Sequence, residues 1–329
     1  MSESHKLRVL IVGCGNIAGA FDYGRLSSDF AYTHAGAYSR DGRFILSACV
    51  DPDEKRRKEF MNAWGITNGY ASIEEISKMG VKFDVISICS PTEFHAHDLE
   101  ISIRLSPKLV FCEKPVTTSV QLTEKIVEDY DALGIHLIVN YTRQWDPSVL
   151  QLKNDMEEGQ WGKLRSVLGI YNKGILNSGS HIIDLLHLLV GPIKVIMVGK
   201  PIYDYFDDDP TIPLWLEGDQ GILIHLASCH AKDYAIGELQ LVFEKGVLSM
   251  EEGGLFWRTR NIIDSKTFNG YRIPSEGIRS AGKYRHAMLG LVDNIYRAVV
   301  RGDSIISTGK SALHVQKLCE KIKLQSQAL

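Results

Sequence analysis

No stretch of this chain stays apolar for the roughly 20 residues that a bilayer-spanning helix needs. The longest candidate, residues 182–190, is interrupted by Asp184 and His187. Basic clusters are equally scarce. Lys and Arg number 37 against 40 Asp and Glu, the net charge is −3, and the one dense run, Lys55, Arg56, Arg57 and Lys58, reads as a solvated helix face. That balance excludes the electrostatic footprint of a nucleic-acid-binding protein. The six cysteines, Cys14, Cys49, Cys89, Cys112, Cys229 and Cys319, include no Cys-x-x-Cys, and four of them lie in or beside apolar runs. They read as buried free thiols in a reducing compartment. Residues 1–6 are polar and lack the apolar core of a signal peptide. The expectation is a cytoplasmic protein with no membrane or nucleic-acid partner.

What is present is an ordinary globular composition, 44% hydrophobic and 23% charged over 329 residues, a length that suits two cores better than one. Short apolar runs at 7–12, 44–50, 85–89, 109–112 and 136–140 alternate with amphipathic stretches at 53–64, 72–79, 94–105 and 119–133. That rhythm predicts a doubly wound parallel sheet with crossover helices, and Ser119 is a candidate helix cap. After Tyr141 the rhythm changes. Helices are expected at 147–158 and 180–189, with strands at 163–171, 195–199, 221–228, 237–243, 247–251 and 255–260. Short turns such as Glu244-Lys245-Gly246 make that second sheet largely antiparallel, and helices near 284–300 and 311–323 close the chain. The fold class is therefore α/β, with a dinucleotide-binding domain over 1–140 and a second α/β domain over 141–329.

Gly13-Cys14-Gly15-Asn16-Ile17-Ala18 follows the first apolar run directly. In G-x-G-x-x-A the first glycine permits the tight turn, the second admits the pyrophosphate to the backbone, and the alanine lets helix and strand pack closely. Helix-start amides are then expected to face the phosphates. Asp51 closes the second strand, where an acid accepts hydrogen bonds from the adenosine ribose and repels a 2'-phosphate. NAD is therefore expected over NADP, while Arg56 and Arg57 lie close enough in sequence to offer a phosphate partner.

Glu113-Lys114-Pro115 stands just after the 109–112 run, at the carboxyl end of the sheet where ligands of such folds bind. Taken alone, Lys114 fits either a ligand-binding role or a plain ion pair with Glu113. The G-x-G-x-x-A turn, Asp51, Ser90-Pro91-Thr92 with His95, Glu113-Lys114-Pro115, the segment from Tyr141 to Pro147 containing Arg143, and Gly179-Ser180-His181 with Asp184 together resemble the Gfo/Idh/MocA oxidoreductase family. The resemblance implies a Rossmann domain followed by an α/β domain on an open sheet, and assembly into a dimer or tetramer. It also implies hydride transfer between a nicotinamide and a hydroxyl or keto carbon of a sugar, inositol or nucleotide sugar. Cofactor contacts are implied for Gly13, Gly15, Asn16, Ile17, Asp51, Ser90, Pro91, Thr92, His95 and Glu113. Lys114, Asn177 and His181 are the implied catalytic residues, and with Arg143 they are the implied substrate contacts.

Two departures from the family pattern stand out. An extra segment, 21–32, separates Ala18 from the family-like His34, as either a cover over the ligand or a surface excursion. Asn177 occupies a position that is an acid in the family's D-x-G-x-H pattern. With Asn177 unable to take a proton, His181 is the expected base and Lys114 the group that polarises the substrate oxygen. Arg143 fits substrate binding and a structural carboxylate partner equally. His181, Asp184 and His187 spread over about 120° of helix at 3.6 residues per turn, with no fourth ligand evident, so no metal is expected. Two rival functions remain: a cofactor-binding sensor that has lost turnover, motivated by Asn177, and an enzyme of the same fold with other nicotinamide chemistry, such as imine reduction or oxidative glycoside cleavage.

Overall fold

The computed structural model describes residues 6–25 and 27–329; the polar N-terminal residues 1–5 and Leu26 of the extra segment lie outside the described residues. Two compact units emerge, one comprising residues 6–145 with Arg285–His314, the other Asp146–Tyr284 with Val315–Leu329. Among the described residues no helix is long and apolar enough to cross a membrane.

In the first unit six strands, β1 (Leu7–Val12), β2 (Phe44–Val50), β3 (Gly69–Tyr70), β4 (Val85–Ile88), β5 (Leu109–Cys112) and β6 (His136–Val139), form a sheet in the order β3-β2-β1-β4-β5-β6. Every pairing is parallel. β4 and β5 are buried along their whole length, as strands covered on both faces must be, and this is why they read as continuous apolar runs. The crossovers are α1 (His34–Asp41), α2 (Glu54–Trp64), α3 (Ile73–Lys78), α4 (Thr92–Arg104) and α5 (Val120–Ala132). Ser119 caps α5 by accepting from the Leu122 amide, as its position suggested, and Asp53 does the same for α2 at Arg56.

One expectation for this unit needs correction. No continuous helix follows the glycine turn. Residues 15–19 form a turn, with Gly19 N–H donating to Gly15 O at 3.2 Å, that leads into a short 3-10 helix (Ala20–Asp22), and the chain then leaves the helical path. It rejoins at α1, where His34 N–H donates to Ile17 O at 3.2 Å and Ala35 N–H to Ala18 O at 2.8 Å. These are bonds that residues one turn further along an unbroken helix would have made. Residues 21–32 are thus an excursion inserted into a helix. Its neck is closed by the buried Asp22 carboxylate, which accepts from the Tyr32 and Thr33 amides at 3.0 Å and the Thr33 hydroxyl at 2.7 Å.

The helix α8 (Ala287–Arg301) also belongs to this unit, although the sequence reading placed it beyond a single boundary at 140/141. Met288, Leu291, Val292, Ile295 and Ala298 enter the same core as Val9, Tyr38 and Phe111. Trp145 Nε1 donates to Asn294 at 3.2 Å, and Arg43 pairs with Asp293 at 2.9 Å. Helical periodicity reveals an apolar face but not which sheet will cover it.

The second unit contains α6 (Pro147–Glu157), β7 (Leu164–Tyr171), α7 (Ser180–Val190), β8 (Lys194–Val198), β9 (Leu214–Glu217), β10 (Leu223–Ser228), β11 (Gly237–Phe243), β12 (Gly246–Glu251), β13 (Phe256–Asp264), β14 (Arg272–Pro274) and β15 (Ile278–Ala281). Its nine strands run β14-β13-β12-β11-β7-β10-β9-β8, with β15 beside β13. Only β7 and β10 pair in parallel. Leu239, Leu241 and Phe243 of β11 and Ile224 and Leu226 of β10 alternate into the core. β9, β14 and β15 had no counterpart in the sequence reading. Each is four residues or fewer, too short to display a period of two. The final helix, α9 (Gly309–Ser326), starts among residues of the first unit and ends among those of the second.

Candidate cofactor and catalytic site

The strand order of the first unit reverses between β1 and β4, and ligands of open α/β sheets bind at such a switch point, outside the carboxyl ends of the strands. Gly13, at the end of β1, adopts φ +86°, and a Cβ there would come 2.5 Å from Ser90 N and 2.7 Å from Cys89 C. Only glycine lets the first turn press against the loop after β4. Gly15 is the opposite case: a Cβ there would meet nothing within 4 Å. The two glycines therefore do different work, one for close packing inside the protein and one for open space beside the backbone. That pairing fits a pyrophosphate laid along residues 13–17.

Asp51, after β2, is 3% exposed and firmly held. Its Oδ2 accepts from Cys14 N–H at 2.9 Å and its Oδ1 from Asp53 N–H at 2.9 Å, while Arg56 Nη1 lies 3.3 Å from Oδ1. Arg56 Nη1 also lies 3.4 Å from Oδ2, and because Arg56 is half exposed these long contacts are the ones that ribose hydroxyls would replace. Arg57 is directed elsewhere and donates to the Asp51 carbonyl. The residues present thus fit a dinucleotide, with Gly13, Gly15, Asn16 and Ile17 at the phosphates and Asp51 at the ribose.

Ser90, Pro91 and Thr92 join β4 to α4, so they border the same turn through the Gly13 contact. The Ser90 hydroxyl is turned inward and donates to Asp98 at 2.6 Å. Burial pushes the Asp98 carboxyl above its ordinary range, although hydrogen bonds from Ser90 and His97 oppose the shift. His95 is 1% exposed, with Nε2 2.8 Å from Ser90 O and Nδ1 2.9 Å from Pro115 O. Both ring nitrogens are engaged by backbone, so His95 braces the loop after β4 against the loop after β5.

Glu113 also turns inward. Its Oε1 lies 2.9 Å from His34 Nε2 and accepts from Asn140 Nδ2 at 2.7 Å. The His34 ring stacks on Phe111 at 4.0 Å, and its buried Nδ1 has no hydrogen-bond partner, so Nε2 is the nitrogen that donates to Glu113. Burial acts to raise the Glu113 carboxyl, but the His34 hydrogen bond and charge, the Asn140 amide and the Lys114 charge outweigh it and leave it below its ordinary range. A depressed native value adds stability above the unfolded value of about 4.3, and that stability is lost as pH falls through the native value. Glu113→Gln should therefore lower stability by about 1–2 kcal/mol at pH 7, the difference between charged and neutral acceptors for two bonds. In urea titrations the gap from the wild type should close as pH is taken below about 4.3; a gap independent of pH would show that the charge contributes nothing.

The Glu113 network anchors the backbone next to Lys114, which is half-buried at the carboxyl end of β5. Arg143 is half-buried on the short 3-10 turn Thr142–Trp145, flanked by the buried Tyr141 and Gln144. Asn177 and His181 belong to the second unit, on a π-type helical stretch (Gly174–Gly179) that runs directly into α7. The Asn177 amide group donates to Lys173 O at 3.1 Å.

His34 carried no role beyond position in the sequence reading, and Asn140 and Asp209 carried none. Asn140 could have been suspected, since a polar residue ending a buried strand at the ligand-binding edge needs a partner. Nothing local separates Asp209 from its neighbours Asp207 and Asp208.

A switch-point glycine turn, an acid ending β2 and a lysine ending β5 are features expected of a dinucleotide-binding site. Residues 7–141 match the Gfo/Idh/MocA model, described as an oxidoreductase family with an NAD-binding Rossmann fold. The chain is 29% identical to a myo-inositol 2-dehydrogenase of Thermotoga maritima over 119 residues, 36% of this chain and 35% of that protein. It is 23% identical to an inositol 2-dehydrogenase of Rhizobium meliloti over 313 residues, 87% of this chain and 91% of that one. The alignments thus span about a third of the first relative and nine-tenths of the second. An NAD-binding oxidoreductase from Klebsiella pneumoniae shares the fold, with a TM-score of 0.79 at 16% identity over 98% of this chain and 97% of that one.

Proposed function

We propose that this protein is an NAD-dependent dehydrogenase that oxidises a secondary alcohol of an uncharged cyclic polyol or sugar, or reduces the matching ketone. The observation that carries the reading is Lys114, held at the carboxyl end of β5 by the Glu113–His34–Asn140 network, on the sheet edge that bears the glycine turn and Asp51. The two inositol dehydrogenase relatives support the substrate class.

Bound nicotinamide supplies the hydride acceptor, and the chain supplies binding and proton handling. Gly13, Gly15, Asn16 and Ile17 seat the phosphates, and Asp51 takes the ribose. Lys114 directs its ammonium at the substrate oxygen and stabilises the negative charge that grows there as the proton leaves. His181 accepts that proton, since a free imidazole titrates at about 6.5. Asn177 orients a hydroxyl without exchanging protons, and Arg143 contacts the substrate. The cofactor contacts implied for Ser90, Pro91, Thr92, His95 and Glu113 run through the backbone of the two loops, because the side chains of Ser90, His95 and Glu113 are engaged within the protein. Assembly into a dimer or tetramer is part of the same reading.

The test is a screen of myo-inositol, other cyclic polyols and aldoses with NAD and with NADP, followed by nicotinamide absorbance, together with calorimetric titration of both reduced cofactors. NAD-linked oxidation of a polyol or sugar is expected. NADH should bind at least about tenfold more tightly than NADPH, because the Asp51 carboxylate would face the 2'-phosphate. Tight NADH binding without turnover of any alcohol would favour the sensor reading that Asn177 motivates. Tighter NADPH binding would move the adenosine contact from Asp51 to Arg56.

A further inference from the structure

The start of a helix leaves its first amides without partners inside the helix. The helix carrying Asn177 and His181 is an exception, because five successive amides are capped, and all five by one loop. Lys173 N–H donates to Asp204 Oδ2 at 3.0 Å, Gly174 N–H to Thr211 Oγ1 at 2.8 Å, and Ile175 N–H to Pro210 O at 2.9 Å. The next two amides go to a single carboxylate: Leu176 N–H donates to Asp209 Oδ1 and Asn177 N–H to Asp209 Oδ2, both at 2.8 Å. Asp209 is 7% exposed, so this bidentate cap is a buried one. Gly174, at φ +84°, makes room for it, since a Cβ there would run into the Asp209 carboxylate.

The capping loop is itself held at both ends. Ile202 and Thr211 exchange backbone hydrogen bonds at 2.8 and 2.9 Å. Asp204 accepts from the Thr211 hydroxyl at 2.8 Å and from Ala231 N–H at 3.0 Å. Beyond Thr211, the Tyr171 hydroxyl donates to Ile212 O at 2.6 Å and accepts from Ile212 N–H at 3.0 Å, tying the loop to β7.

We propose that Asp209 is a positioning residue for the proton-handling step: by gripping the Leu176 and Asn177 amides it sets where Asn177 and, four residues further along the same helical face, His181 stand. The inference rests on the proposed dehydrogenase reading. The two amides that Asp209 grips are those of Leu176 and of Asn177 itself, so Asp209 fixes the backbone from which these side chains project. Isosteric Asp209→Asn leaves one acceptor and turns an N–H₂ toward an amide N–H, which shifts the helix start without opening a cavity.

The experiment compares wild type, Asp209→Asn and Asp209→Ser, the last keeping one small acceptor should the amide variant fail to fold. Histidine ring signals are read by NMR, with His181 assigned through His181→Gln, alongside steady-state kinetics with myo-inositol and NAD and calorimetric NADH titration. In a folded Asp209 variant the His181 signal should move while those of the exposed His97 and His136 stay in place. The kcat should fall at least tenfold, with NADH stoichiometry and affinity within twofold of wild type; a mere loss of folded protein would lower the stoichiometry along with kcat. An unmoved His181 signal, or a moved one with unchanged kcat, overturns the proposal. Wild-type protein that oxidises no polyol sinks the dehydrogenase reading on its own, and the His181 signal still decides whether Asp209 places the helix start.

Discussion

Replacing Lys114 with methionine should lower kcat by at least about a hundredfold, the usual scale for loss of an acid–base or oxygen-polarising group, while the affinity for NADH changes by no more than a few-fold. Methionine keeps the length and apolar stem of lysine and removes only the ammonium, so packing at the end of β5 is preserved. The Glu113 carboxylate keeps its two principal partners, His34 and Asn140, in this variant, which is why the fold should survive. In the proposed reaction the ammonium acts on charge that develops as the hydroxyl proton departs, so the defect belongs in kcat more than in KM. Stopped-flow hydride transfer and NADH titration on the same preparation separate the two quantities. Normal turnover in Lys114→Met would make the residue structural, and lost NADH binding would make it a cofactor clamp.

Gly13 and Gly15 should respond to the same substitution in opposite ways. Gly13→Ala places a methyl group against the Ser90 and Cys89 backbone at a positive φ. Backbone strain and overpacking together predict a loss of about 3 kcal/mol or more. Gly15→Ala meets no protein atom within 4 Å and should leave stability within about 0.5 kcal/mol, the range of a surface substitution. The Gly15 methyl nevertheless enters the space in which the pyrophosphate is proposed to lie, so NADH affinity should fall at least tenfold. Urea midpoints and NADH titrations on both variants test the contrast. Gly15→Ala protein that binds NADH normally would remove the phosphate seat from residues 13–17, and stable Gly13→Ala protein would show that the turn can retreat from β4.

The cofactor half of the candidate site was legible because its signals are short-range. A tight turn after a buried strand needs glycine wherever it occurs, and a ligand at the sheet edge meets whatever residue ends each strand. Gly13, Asp51 and Lys114 could therefore be picked out from a few neighbouring residues apiece. Ser119 was legible as a cap for the same reason. Residues 21–32 were visible as an addition, but that they interrupt a helix became apparent only when the His34 and Ala35 amides were seen to bond to the carbonyls of Ile17 and Ala18.

What tertiary structure alone decided are the partners that chain distance hides. Glu113 and Lys114 are adjacent and equally polar, and Glu113 finds its partners because folding brings His34 to it from α1 and Asn140 from the end of β6. His95 braces two loops, since both its nitrogens meet carbonyls of loops that only strand order makes neighbours. α8 shows an apolar face in sequence, but that this face enters the core of Val9 and Phe111 is visible only in the folded chain. Asp209 is one of three consecutive aspartates, and burial against the Leu176 and Asn177 amides is what distinguishes it. Periodicity and turn chemistry act over a few residues and can be read along the chain, whereas the choice of partner for a buried polar group is made by packing, which no local pattern encodes.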